Sequence, residues 1–171
     1  RRTVIAAACA AAAMTFAPMS FAQQAPEKKD VTIAVGGKSL YYYLPLSIAE
    51  QLGYFKDEGL NVKIVDFQGG SRSLQAVVGG SADVVSGAFE HTISMQAKKQ
   101  PMTAFVLQGR APQLALVVSN KTMKDYKQLS DLKGKKVGVT APGSSSQMVA
   151  NFILKKGGLG PKDVAFIGVG S

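Results

Sequence analysis

The sequence KVGVTAPGSSSQMVANFILKK, residues 136–156, decides the fold. It opens with an apolar run at 136–140 and passes through a loop of glycine, proline and serine at 141–144. It continues in a segment whose apolar residues recur at helical spacing, and a second apolar run follows at 164–168. This order predicts a strand, a loop, a helix over 145–156 and another strand, which form one βαβ unit.

The same alternation continues upstream. Apolar runs bounded by turn residues predict further strands at 31–35, 61–67, 82–85, 102–107 and 114–119. A helix after the first strand would bury Ile48, Leu52 and Phe55, which are spaced as one helical face. A second, short helix would be capped by Ser71 or Ser73.

Strands that alternate with helices predict an α/β fold with parallel sheets. Right-handed crossovers then place the strand-to-helix loops on the carboxyl edge of each sheet, where open α/β sheets bind ligands. A lysine-rich polar stretch near 115–135 precedes the last βαβ unit. We therefore expect one lobe over 31–115 and the start of a second lobe over 116–171.

The amino terminus has the pattern of a secretory signal peptide. Two arginines precede an alanine-rich apolar stretch, and Ser20-Phe21-Ala22 fits the small-x-small cleavage pattern. We expect a signal peptide over 1–22, which removes Cys9, and a linker over 23–30. The chain does not start with methionine and ends just after a predicted strand, so we expect a piece of a longer protein.

Composition excludes several classes of site. The 171 residues carry a net charge of +9, with one cysteine and one histidine. These two residues cannot supply a four-ligand zinc site, and no nucleophile elbow, dinucleotide-binding or Walker motif is present. His91 is interpreted as an exposed or satisfied histidine. The lysines from 121 to 136 could contact nucleic acid or an acidic membrane surface. They are interpreted as a solvated face, because no nucleic-acid motif accompanies them and charge alone argues for solubility.

Four loops on the predicted carboxyl edge hold the candidate ligand contacts. The strongest is the loop from Ala141 to Ser146, because free amides at a helix amino terminus and serine hydroxyls suit an anion. The alternative is plain capping by Ser144 or Ser145. A glycine loop followed by Arg72 offers a guanidinium clamp, with a solvent-facing arginine as the alternative. The other two loops carry three tyrosines, of which at least one should pack in the core, and Phe89.

Read together, these segments resemble a known family. The phrases are PLSIA at 45–49, GYFKDEGLNV at 53–62, GSADV at 80–84 and DLKGKKVGV at 131–139. They resemble the solute-binding proteins of ABC importers for nitrate, sulfonate and taurine, a group related to the pyrimidine-synthesis proteins of thiamine metabolism. The resemblance covers about residues 31–171 and implies a type II periplasmic-binding fold in a protein about twice as long.

The resemblance, carried over by position, implies ligand contacts from the four loops. The candidate ligand-binding residues are Gly37, Lys38, Ser39, Tyr42, Gly70, Ser71, Arg72, Gly87, Ala88, Phe89, Gly143, Ser144, Ser145 and Ser146. It also implies a non-catalytic periplasmic receptor, monomeric at full length, that delivers a small anionic solute to a membrane permease. No metal, cofactor or nucleic acid is expected.

Two alternatives remain open. One is a receptor for a thiamine-pyrimidine precursor, which the tyrosines and Phe89 would stack upon. The other is a related pyrimidine-forming enzyme. The resemblance implies that the pyrimidine-forming reaction takes place at an iron-dependent site rich in cysteine and histidine. The expected mature chain retains one histidine and no cysteine.

Overall fold

The computed structural model describes residues 25–171. The predicted signal peptide over 1–22 lies outside the described residues, as does the start of the linker. Within the described part, no helix is both long enough and apolar enough to cross a membrane.

The first sheet has three parallel strands. Its strands β1 (Asp30–Val35), β2 (Asn61–Asp66) and β3 (Val84–Val85) lie in the order β2-β1-β3. In the register of this sheet, Ile33 is aligned with Ile64 on one side and with Val84 on the other. Within the described residues, a 3-10 helix (Tyr41–Tyr43) and four α-helices belong to this half of the chain: α1 (Leu44–Gln51), α2 (Tyr54–Asp57), α3 (Gly70–Val78) and α4 (Glu90–Ala97).

The second sheet is the βαβ unit that the deciding stretch predicts. Strand β4 (Lys136–Val139) pairs in parallel with β5 (Ala165–Gly168), and α5 (Ser145–Lys156) connects them. A 3-10 turn, Leu129–Leu132, leads into β4. The buried core of this unit consists of Leu132, Val137, Ala150, Leu154, Leu159 and Val164. Helix α5 starts and ends at the predicted residues, and the α/β fold class is confirmed.

The prediction that Ile48, Leu52 and Phe55 are buried on one face of the first helix was wrong in part. Ile48 and Leu52 are 44% and 60% exposed, whereas Leu46 and Phe55 pack against the core of the first sheet. The cause is Gly53, whose φ of 80° ends the first helix and starts a second short one. The row of residues spaced as one helix is therefore divided between two helices.

Helix α3 begins two residues earlier than a Ser71 cap would place it, and four residues earlier than a Ser73 cap would. Gly69, with φ 92°, occupies the capping position, and no side chain caps the helix. The Ser73 hydroxyl instead donates to the Gly70 carbonyl at 2.9 Å, inside the first turn.

The predicted strands at 102–107 and 114–119 do not form in the described structure. Phe105, Leu107 and Val117 are 74%, 74% and 83% exposed, respectively. A strand needs a neighbouring strand for its backbone hydrogen bonds, and no described segment pairs with these residues. The segment is held instead by Gln108, whose amide donates to the Tyr42 carbonyl at 2.6 Å and accepts from the Ser86 hydroxyl at 2.9 Å. The lobe boundary near residue 115 stays a prediction.

Candidate functional site

The amino ends of α3 and α5 meet beside the carboxyl ends of β1 and β4. The Ser71 amide donates to the Ser144 hydroxyl oxygen at 3.0 Å. The Ser144 hydroxyl donates to the Ser71 hydroxyl at 3.1 Å, and that hydroxyl donates to the Pro142 carbonyl at 2.9 Å. These hydrogen bonds connect the two sheets directly, because Ser71 lies in the first half of the chain and Ser144 in the second.

Glycine makes this close approach possible. A Cβ atom on Gly36, at the end of β1, would lie 2.3 Å from the Gly69 carbonyl carbon and 2.4 Å from the Gly70 nitrogen. Both atoms belong to the backbone, so a side chain at this position would push the amino end of α3 away from β1. The absence of a side chain on Gly36 therefore fixes where the α3 amides point.

A cavity of about 560 Å³ lies at this junction. Gly70 from α3 and Ser144, Ser145 and Ser146 from α5 line one side of it. The backbone amides of Gly70, Ser145 and Ser146 have no acceptor in the described part of the chain. Two helix amino ends thus present free N–H groups to one cavity, which is an arrangement that attracts an anion.

The serine side chains in this loop act between segments rather than as helix caps. Helix α5 has no side-chain capping bond, and the buried Ser144 hydroxyl faces Ser71 instead. The Ser146 hydroxyl accepts a hydrogen bond from the Thr140 amide at 3.0 Å and so ties the helix to the end of β4. Plain capping by Ser144 or Ser145 is therefore not observed.

Aromatic side chains form another part of the cavity wall. Tyr41 and Phe89 are 87% and 67% exposed, and both line the cavity together with Tyr42. Tyr43 is the tyrosine that packs in the core, as expected of at least one of the three, and its hydroxyl oxygen accepts a hydrogen bond from the Gly36 amide at 3.1 Å. The Tyr42 ring meets the Tyr43 ring edge to face, with centroids 5.0 Å apart.

Both of these tyrosines stay neutral at physiological pH. Burial raises the pKa of Tyr42, and the neighbouring Glu90 carboxylate raises it further. Burial also raises the pKa of Tyr43. The Tyr42 hydroxyl at the cavity therefore keeps its proton.

The interpretation of His91 as an exposed histidine, or as one with its hydrogen bonds satisfied, was wrong. It is only 7% exposed, and its Nε2 atom has no hydrogen-bond partner. Nε2 lies 3.2 Å from the position of a Cβ atom on Gly70, directly behind the amino end of α3. Desolvation lowers the pKa of His91, although Glu90 opposes this shift, so the imidazole is held neutral.

Eight of the predicted contact residues line the cavity. They are Tyr42, Gly70, Gly87, Ala88, Phe89, Ser144, Ser145 and Ser146. The other six, which are Gly37, Lys38, Ser39, Ser71, Arg72 and Gly143, are not part of its wall.

Local contacts or exposure explain the positions of four of these six residues. The amides of Gly37 and Lys38 donate to the Asp66 carboxylate at 2.7 and 3.0 Å, and the Lys38 ammonium pairs with Glu50 at 2.6 Å. This turns the first glycine loop toward β2. Ser71 is bound to Ser144, whereas Arg72 is exposed, as its alternative reading predicted.

The cavity also has lining residues that sequence reasoning missed. The most important segment is 109–114, which contributes Arg110 to the wall. This segment lies between two predicted strands and matches no motif, so its sequence carried no signal. Leu40, Glu90, Thr140, Met148 and Val149 are further lining residues that the sequence analysis did not single out. The described residues contain no cluster of three or more histidine, cysteine or acidic side chains suited to a metal.

A larger apolar cavity of about 770 Å³ lies next to the first, under residues 102–109. The two cavities share Tyr42 and the loop from Gly87 to Phe89. The helix amino ends with free amides open onto the first cavity, which is therefore the candidate site.

Two parallel sheets face a common cavity with their carboxyl edges, where open α/β sheets bind ligands. This arrangement agrees with the type II periplasmic-binding fold that the resemblance implies. The sequence model of the NMT1/THI5-like family matches residues 41–171. The chain belongs to this family.

Solved structures carry the same fold. A protein of Bordetella bronchiseptica RB50 is 67% identical with a TM-score of 0.82, over 84% of this chain and 45% of that one. The alkanesulfonate-binding protein SsuA of Xanthomonas axonopodis pv. citri, solved with bound MOPS, is 21% identical with a TM-score of 0.57. That match covers 85% of this chain and 49% of SsuA and shows the fold alone.

A curated relative has an enzyme's name. The 4-amino-5-hydroxymethyl-2-methylpyrimidine phosphate synthase of Schizosaccharomyces pombe is 27% identical over 141 residues, which are 82% of this chain and 39% of that protein. The chain therefore spans between about two fifths and one half of the length of these relatives.

Proposed function

We propose that this protein is an extracytoplasmic solute-binding receptor of an ABC importer. It captures a small anion of the sulfonate, nitrate, taurine or aromatic-acid type and delivers it to a membrane permease. The family and the fold support this class. The predicted signal peptide and the periplasmic SsuA relative from Escherichia coli support export to the periplasm.

The convergence of two helix amino ends on one cavity carries the proposal. Gly70 begins α3, Ser145 and Ser146 begin α5, and none of their amides is used within the described structure. Each helix end carries a partial positive charge, so an anion between them is attracted by both dipoles. The sulfonate, nitrate or carboxylate oxygens accept the free N–H groups.

The remaining wall suits the body of an organic anion. Tyr41, Tyr42 and Phe89 offer apolar ring surface, and Arg110 is part of the wall of the same cavity. A guanidinium binds carboxylate and sulfonate oxygens with two parallel hydrogen bonds. We therefore assign to Arg110 the role of anion clamp that the sequence analysis gave to Arg72.

Capture occurs by closure of the two lobes on the solute. A ligand that touches α3 and α5 together makes its full set of contacts only when the two halves are close, and it therefore favours the closed state. The hydrogen bonds between Ser71 and Ser144 hold the halves in this proximity.

A receptor for a thiamine-pyrimidine precursor is the second candidate. The observation that favours it is the exposed aromatic surface of Tyr41 and Phe89 at the cavity, on which a pyrimidine ring can stack. A pyrimidine-forming enzyme has less support, because the lining of this cavity in the described part of the chain contains no group of cysteine and histidine that resembles an iron site.

A thermal-shift screen of the mature protein at its full natural length tests the proposal. The panel contains nitrate, sulfate, taurine, aliphatic and aromatic sulfonates, aromatic carboxylates and pyrimidines. A ligand that binds only the folded protein raises the unfolding midpoint. A rise with one class of anion is expected, a rise with pyrimidines alone favours the second candidate, and no rise with any compound contradicts both.

Separate substitution of Arg110 and Arg72 shows which of the two guanidinium groups binds the anion. We expect Arg110→Ala to weaken binding of the anion found in the screen by about tenfold, which is typical for loss of a charge-assisted contact. Arg72→Ala is the matched control and should change the Kd less than about twofold, because Arg72 is not part of the cavity wall. The reverse order of effects would restore the assignment to Arg72. Titration calorimetry of both variants gives the two Kd values.

A further inference from the structure

The positive charge of the protein is concentrated in the second half of the described chain. Residues 25–115 contain nine basic and eight acidic side chains, which nearly cancel. Residues 116–171 contain nine lysines and three aspartates. The lysines of this half therefore produce a strong local field that the first half lacks.

The fold brings most of these lysines to one end of the second sheet. The Gly134 amide, before β4, donates to the Asp163 carbonyl, before β5, at 2.7 Å. At the carboxyl end of α5, Gly157 packs so closely on Leu129 that a Cβ atom there would lie 2.4 Å from the Leu129 Cβ. The segments before β4, before β5 and after α5 thus meet at the amino edge of this sheet.

We call the lysines carried by these segments, by the first residue of β4 and by the last turn of α5 the amino-edge patch. All of them are exposed. They are Lys127, Lys133, Lys135, Lys136, Lys155, Lys156 and Lys162.

Nearby acidic groups leave most of this charge uncompensated. The Asp131 carboxylate accepts hydrogen bonds from the backbone amides of Lys127 and Gln128 at 2.8 and 3.0 Å. Asp163 accepts the Gly160 amide at 2.7 Å and lies 3.8 Å from the Lys133 ammonium. No other lysine of the patch has an ion pair in the described structure.

The composition and position of the patch indicate its partner. Protein interfaces are depleted in lysine, whereas a surface with many anionic headgroups needs positive charge without fixed geometry. The patch contains no arginine. It also lies at the opposite edge of the sheet from the cavity, so contact at the patch leaves the site open to solution.

We propose that the amino-edge patch binds anionic lipid headgroups at a membrane surface. The lysines act together through their summed charge and bring the receptor to the membrane with its cavity directed away from the bilayer. The patch shares no residue with the cavity, so this contact is independent of solute binding.

Co-sedimentation with lipid vesicles tests the proposal. The full chain is mixed with vesicles of phosphatidylcholine alone or with about one third phosphatidylglycerol, at low and high salt. The patch variant carries Lys135→Gln, Lys136→Gln, Lys155→Gln and Lys162→Gln, which leaves the lysines that contact Asp163 and Phe152 intact. The control variant carries Lys56→Gln, Lys63→Gln, Lys98→Gln and Lys99→Gln and has the same net charge.

We expect binding to the anionic vesicles that falls at high salt. Each lysine near an anionic surface contributes about a fivefold factor, so the patch variant should lose at least about tenfold in affinity. The control should stay within about twofold. All three proteins share residues 1–22, so this segment cannot account for a difference between the variants.

Three outcomes would overturn the proposal. They are equal losses in the two variants, no preference for anionic vesicles, and retention on immobilised polyglutamate without vesicle binding. The last result would point to an acidic protein partner. Far-ultraviolet circular dichroism must show that both variants are folded.

Discussion

Ser144 shows how one side chain joins the two halves of the chain. Its hydroxyl accepts from the Ser71 amide at 3.0 Å and donates to the Ser71 hydroxyl at 3.1 Å, and it is only 3% exposed. Sequence reasoning placed Ser144 at the site because a serine-rich loop precedes a helix. It assigned the hydroxyl to a ligand or a cap, since the true partner is 73 positions away in the chain.

We expect Ser144→Ala to lower the free energy of unfolding by about 1–3 kcal/mol, because the Ser71 amide is then left without its acceptor. The neighbouring Ser145 hydroxyl makes no hydrogen bond in the described structure, so Ser145→Ala is the control and should cost less than about 0.5 kcal/mol. Urea unfolding at pH 7.5 compares the two variants. Equal losses would show that the bridge between the halves contributes no stability.

His91 predicts a pH dependence of stability. Its pKa in the folded protein is lowered below 6.5, the value of an unperturbed histidine, and the unfolded state therefore binds more protons between these two values. Stability should rise with pH through this window and level off above about pH 6.5. One proton limits the slope to about 1.4 kcal/mol per pH unit.

The matched variant is His91→Gln, which keeps a polar side chain but cannot titrate. Its free energy of unfolding, measured with urea between pH 5 and pH 8, should lack the pH-dependent contribution of the histidine. The carboxylates titrate alike in both proteins, so they do not contribute to the difference. Identical pH profiles for the two proteins would show that His91 is not held neutral by burial.

At the scale of elements, local signals determined what sequence could predict. Helix α5 was predicted to the residue, because a glycine-serine loop marks its start and apolar residues recur along it at helical spacing. Both strands of the second sheet were also predicted from local signals, because they are short runs on either side of this loop and helix. The row Ile48, Leu52 and Phe55 misled the prediction, since the left-handed Gly53 divides it between two helices.

Long-range contacts determined what sequence could not predict. The segment 102–119 has the composition of strands, but strands form only beside a partner, and no described segment supplies one. Arg110 reaches the cavity from this segment. The position of Arg110 at the cavity depends on the tertiary structure and has no local signal in the sequence.

The contact between β1 and α3 gives a prediction at this scale. We expect Gly36→Ala to destabilise the protein by about 3 kcal/mol, because its Cβ would overlap the backbone of Gly69 and Gly70. Gly109→Ala is the control, since a Cβ there meets no atom within 4 Å and should change stability by less than about 0.5 kcal/mol. Thermal and urea unfolding measure both variants, and a neutral Gly36→Ala would contradict the close packing.

At the scale of the whole molecule, the two edges of the sheets differ. The carboxyl edges of both sheets and the amino ends of α3 and α5 surround the cavity, which is the proposed ligand side. The amino edge of the second sheet carries exposed lysines with one ion pair among them. The proposed anion site and the amino-edge patch therefore lie at opposite edges of this sheet.

The free amide at the start of α5 offers the most direct test of the central claim. Ser145 is the first residue of this helix, a position where proline is well tolerated, and the preceding Ser144 has the extended conformation that proline requires. Ser145→Pro therefore removes one N–H donor and leaves the helix intact. Ser145→Ala keeps that donor and removes only the hydroxyl.

The decisive measurement is the Kd of the anion found in the screen, determined by titration calorimetry for the full-length protein and these two variants. If the helix amides bind the anion, Ser145→Pro should weaken binding by about tenfold or more, which corresponds to one lost charge-assisted hydrogen bond. Ser145→Ala should stay within about threefold of the parent. An unchanged Kd in a folded Ser145→Pro protein would contradict an anion site at the paired helix ends.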